Sequence, residues 1–81
     1  MALGKWGQVD ARSHAQAMVE QLFEAELDAL RGLAKGESVA ALARRRLLSE
    51  VEAADIRESM MWKLGALTNA DAVRIWLTAE I

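Results

Sequence analysis

Leu33-Ala34-Lys35-Gly36-Glu37-Ser38-Val39-Ala40-Ala41-Leu42-Ala43-Arg44-Arg45-Arg46-Leu47-Leu48-Ser49-Glu50-Val51-Glu52 carries two helix ends and two helix starts in a short space. Gly36 stands where a left-handed residue closes a helix, with Lys35 beside the negative pole. Ser38 can then cap a short helix from Val39 to about Arg46, with Val39, Leu42 and Ala43 turned inward. Leu47 and Leu48 read as a tight apolar turn. Ser49 followed by Glu52 has capping-box spacing, in which each side chain satisfies the other residue's orphan backbone donor. A short helix, a tight turn and a second helix make a helix-turn-helix unit.

Outward from this stretch the helical signals continue. After Ser49, Ala53, Ile56, Met60 and Leu64 recur at helical spacing, and Gly65 supplies a left-handed stop. Thr68 and Asp71 repeat the capping spacing before a last helix bearing Ala72, Val73, Trp76 and Leu77. Upstream, one long helix is expected from Asp10 or Ser13, where Ser13 and Gln16 have capping-box spacing. Its stripe is Ala15, Val19, Leu22, Ala29, Leu30 and Leu33, widened by Phe23 and Leu27. Gly4 and Gly7 mark a flexible arm over residues 1–9, leaving residues 10–81 as a single domain.

Composition agrees with an all-α reading. The 81 residues are 53% hydrophobic, contain no proline and no cysteine, and carry a net charge of −2. That length suits one domain with one core. No segment alternates with the period of a strand. Without cysteine there is neither a disulfide nor a thiolate metal site, and His14 alone is a poor zinc ligand set. His14 is therefore expected on the helix surface. Ser13, Ser38 and Ser49 read as caps, no base stands near an activated nucleophile, and no phosphate-binding glycine loop is present. The chain is expected to be no enzyme and to take no cofactor. No apolar run approaches a membrane span and no signal-peptide core opens the chain, so the expected setting is cytoplasmic, of bacterial type.

From Leu22 to about Trp76 the chain resembles the LuxR/GerE-type helix-turn-helix domain. The resemblance lies in Leu22, Glu26, Asp28 and Leu30, then Leu33-Ala34-Lys35-Gly36-Glu37-Ser38. It continues through Leu42-Ala43, Leu48-Ser49-Glu50, Lys63-Leu64-Gly65 and Ala72-Val73, in register and without insertion. It implies a four-helix, LuxR/GerE-like domain, here stand-alone with an extended first helix. The implied function is transcription regulation by binding duplex DNA as a homodimer, with the third helix in the major groove and the last at the dimer interface. Val73, Trp76 and Leu77 are the interface residues so implied.

The departures gather on the third helix. Where the family offers Thr-Val-Lys-x-His, this chain has Glu52-Ala53-Ala54-Asp55-Ile56; Ser59 replaces an asparagine, Asn69 an arginine, and Ala25 another arginine. From Ser49 to Leu64 there are four acids (Glu50, Glu52, Asp55, Glu58) and two bases (Arg57, Lys63), a balance of −2. Affinity for duplex DNA comes largely from neutralising phosphates, so these carboxylates oppose it. Asp55 and Glu58 can still accept a hydrogen bond from cytosine.

Two mechanisms therefore stand open, of which direct DNA binding is the expected one. In the first, Arg44, Arg45, Arg46, Arg57 and Lys63 hold phosphates, helped by Lys5 and Arg12 on the arm, while Ala54, Asp55 and Glu58 lie near bases. In the second, a degenerate helix-turn-helix binds a regulator or polymerase component through Glu52, Asp55, Glu58 and Trp62, without touching DNA. Trp62 lies outside the buried stripe, a hint of an interface. Trp6 either folds back on the core or docks on a second subunit.

Overall fold

The long first helix expected from periodicity is two helices. The computed structural model describes residues 2–80, with side chains from Ala11 onward. In it α1 runs Ala2–Glu20 and α2 runs Glu24–Ala34. They are followed by α3, Val39–Arg46; α4, Glu50–Leu64; and α5, Asn69–Glu80. Among the described residues there is no strand, and no helix is long and apolar enough to cross a membrane.

The break at Gln21–Phe23 has a local cause. The Gln21 and Leu22 N–H groups donate to Met18 and Val19 carbonyls three residues back, tightening the last turn of α1. Phe23 then takes extended backbone, φ −70° and ψ 165°, and serves as the N-cap of α2. Its ring offers no acceptor, so capping comes from the far side alone. The Glu26 carboxylate reaches back to accept the Phe23 N–H at 2.8 Å. Helical phase survives the break, because Ala15 and Val19 before it and Ala29, Leu30 and Leu33 after it all reach the core. Periodicity could not register the interruption.

The backbone of the stretch read as an arm belongs to α1. The side chains of Lys5 and Trp6 lie outside the described residues. Ser13 and Gln16 sit inside α1 instead of capping it, and the Gln16 amide donates to the Ala79 carbonyl at 3.3 Å, tying α1 to α5.

The remaining boundaries follow the sequence signals. Ser38 Oγ accepts the Ala41 N–H at 3.1 Å. Ser49 and Glu52 form a reciprocal box, each bond 3.0 Å long. Thr68 Oγ1 accepts the Asp71 N–H at the start of α5. Three helices end in one way. Glu37, Leu48 and Ala66 N–H groups bond back to Gly32, Ala43 and Met61 carbonyls, around a left-handed residue. That residue is Gly36 at φ 86° and Gly65 at φ 65°, but at the third end it is Leu47, at φ 59°.

The core gathers Ala29, Leu30 and Leu33 of α2, Leu42 and Ala43 of α3, Ala53, Met60 and Leu64 of α4, Ala66, and Ala72 of α5. Ala29, Ala53 and Ala72 are wholly buried, and their small side chains let α2, α4 and α5 approach closely. Val39 and Ile56, expected inside, are partly covered and pack on this core. Phe23, expected to widen the buried stripe, is instead exposed. Helix α1 packs along α5, α2 against α4 and α5, and α3 against α4.

Candidate interaction surface on helix α4

Helix α4 has one face in the core and one in water. Ala53, Met60 and Leu64 are buried, while Val51, Asp55, Glu58 and Trp62 are exposed. The four exposed residues fall at intervals of four, three and four, one stripe along a helix, spanning about 16 Å. Trp62 is 85% exposed and Val51 71%. Asp55, Glu58, Ser59 and Trp62 line a shallow groove of about 350 Å³. Among the described residues neither Asp55 nor Glu58 makes a hydrogen bond or ion pair. Ala54 lies exposed beside them. Glu52 differs, because its carboxylate accepts the Ser49 N–H and that bond holds it below the usual carboxylate range.

Leu47 is another exposed apolar residue near α4. It leads into α4, is 91% exposed, and holds a backbone conformation that disfavours any residue with a Cβ. A leucine there gains nothing from burial and bears the strain that glycine avoids at Gly36 and Gly65. Leu47 and Leu48, expected together in an apolar turn, differ: Leu48 is partly covered and Leu47 is not.

Most of the cations are engaged within the chain. Arg45 grips Glu37 with two bonds of 2.8 and 2.9 Å and reaches Asp28 at 2.8 Å. Arg46 bonds Asp28 at 2.8 Å and Glu24 at 3.0 Å. The Arg57 guanidinium donates to the Glu37 carbonyl at 2.7 Å, with its Nε buried. Lys63 Nζ bonds the buried Glu26 carboxylate at 2.7 Å and lies 3.7 Å from the centre of the Phe23 ring. Of the five cations proposed for phosphates, only Arg44 is without a partner among the described residues. These ion pairs join residues 8 to 37 positions apart, a pattern no local spacing announces.

Glu26 is the centre of the inward side. Besides Lys63 and the Phe23 N–H it accepts the Ser59 hydroxyl at 2.5 Å. Burial pushes its carboxyl up, but the bonds from Lys63, Ser59 and Phe23 together outweigh burial and hold it below the usual range. Glu26 thereby ties the start of α2 to α4.

No protein-family model matches this chain, and no curated protein or solved structure matches it either. The likeness to LuxR/GerE-type domains rests on the residues quoted above.

On α5, Val73 and Trp76 lean on the core and Leu77 is 53% exposed. Arg31 lies 5.7 Å from the centre of a Trp76 ring, and Trp76 shares a hollow with Gln16, Val19 and Glu20 of α1. His14 is exposed.

Proposed function

We propose that α3, the turn at Leu47–Ser49 and α4 form a helix-turn-helix scaffold turned to protein binding. In this reading the chain regulates transcription by docking a partner protein on the outward face of α4. One observation carries it: Asp55, Glu58 and Trp62 stand free in water while Arg45, Arg46, Arg57 and Lys63 are bonded to groups of this same chain. Phosphate binding would have to break those bonds or work without them, against two unpaired carboxylates. A free indole on the same face of α4 as the exposed Val51 suits a protein interface, where tryptophan is a preferred anchor.

Duplex DNA is the second reading, favoured by Arg44, which is exposed and unpaired among the described residues. A homodimer through Val73, Trp76 and Leu77 and a cytoplasmic setting belong to the same proposal. Leu77 is the exposed apolar anchor such a dimer would have.

Titration against a pool of random duplexes at low and physiological salt separates the two. Protein docking is expected to leave the wild-type chain without measurable affinity even at low salt. Asp55→Lys/Glu58→Lys is expected to gain salt-sensitive binding, since it removes two acids and adds two bases. Wild-type binding with a steep negative salt slope would reject the protein-docking reading in favour of DNA.

A further inference from the structure

We infer that the segment docked on α4 is a basic amphipathic helix, whose apolar residues seat on Val51 and on Trp62 and whose arginines lie between them against Asp55 and Glu58. The inference rests on the reading of α4 as a protein interface and names the chemistry of the partner.

Four features of the face lead to it. Its order along α4 is apolar, acidic, acidic, apolar, from Val51 through Asp55 and Glu58 to Trp62. Spacing of four, three and four is that of a helix presenting a seam to another helix, and about 16 Å accommodates three turns of a partner. The two carboxylates in the middle have no counter-charge among the described residues, so a docked segment must bring it. A neutral or acidic segment would cover them without compensation, at the cost of desolvating them unpaired.

The groove favours arginine over lysine. Asp55, Glu58 and Trp62 border one depression. A guanidinium can lie on an indole face and bond a carboxylate through its fork at once, which an ammonium cannot.

The probe is a fluorescently labelled helical peptide of about 20 residues. It carries two leucines on one face, spaced as Val51 and Trp62 are, with two arginines between them; a companion peptide has glutamates for the arginines. The arginine peptide is expected to bind the full chain with an affinity that falls with salt, and the glutamate peptide at least about 10-fold more weakly. Asp55→Arg/Glu58→Arg is expected to reverse that preference. Both positions are exposed, so this variant should keep the wild-type circular dichroism and melting curve. Trp62→Ala is expected to weaken the arginine peptide by about 10-fold or more.

Equal binding of the two peptides, an unreversed preference in the charge-swapped variant, or no binding of either would overturn the inference. A photo-reactive amino acid at position 58, used in cells, separates that failure from failure of the underlying reading. If the adduct is a protein while neither peptide binds, docking on α4 stands and the basic helix is rejected; if the adduct is DNA, both fall.

Discussion

Glu26→Ala is expected to destabilise the fold by about 3–5 kcal/mol, read as a lowered urea midpoint with an unchanged slope. A domain of this length has roughly 4–12 kcal/mol in all, so the variant should sit near the edge of folding. The size of the effect follows from what one carboxylate does. It is 5% exposed, caps α2 through the Phe23 N–H, and pairs with Lys63 and Ser59 across to α4. Its removal leaves the mostly covered Lys63 ammonium without its carboxylate partner and α2 without its only cap. Replacing both partners by apolar residues, as in Glu26→Leu/Lys63→Met, is expected to recover much of the loss, because no charge is then left unpaired. A double variant no more stable than Glu26→Ala would show that the pair contributes more than the avoidance of an orphan.

The same carboxylate sets a pH response, with two others beside it. Asp28 is pushed up by burial but held lower by Arg46 and Arg45, and Glu37 is held low by its bonds to Arg45. Because all three are depressed in the folded chain, their stabilisation is present above the ordinary carboxylate range and is lost as pH falls through the folded values. The urea midpoint should therefore hold steady near neutrality and fall below about pH 4. Glu26→Gln should make that fall shallower; an unchanged acid limb would mean that Glu26 titrates alike in both states.

The second large effect is expected at Leu42. It is wholly buried, and Leu42 and Ala43 are the only buried residues of the eight-residue α3. A helix so short does not hold itself, and depends on these two side chains. Leu42→Ala should cost about 3 kcal/mol and should raise amide exchange across α3 and the following turn before the rest of the molecule opens. A loss below about 1 kcal/mol would mean that the neighbouring side chains close the cavity.

What could be read from the sequence was chemistry confined to one turn. Ser38, the Ser49–Glu52 pair and the glycines at 36 and 65 act within four residues of themselves, and the boundaries of α3 and α4 follow. What escaped depended on distance or on phase. The Phe23 break keeps the apolar stripe in register, and its only sequence trace is Glu26 three residues on. Arg45 and Arg46 looked available for phosphate because Asp28, Glu24 and Glu37 come to them only in the folded chain. Leu47 reads in sequence as part of an apolar turn, since its exposure and left-handed backbone are set by how α3 meets α4. The acidity of the third helix was visible at once; that its cations turn inward, leaving the acids alone outside, was not.

Protein binding, and not DNA reading, is what we propose for the outward face of α4. Its most direct test is a pair of NMR titrations of the 15N-labelled chain, one with random duplex and one with the arginine peptide. The expected result is that the peptide shifts the backbone amides of Val51, Asp55 and Glu58 and the Trp62 indole N–H, while the duplex leaves them unmoved. Shifts of those signals by the duplex, or peptide shifts confined to α1 and α5, would contradict it.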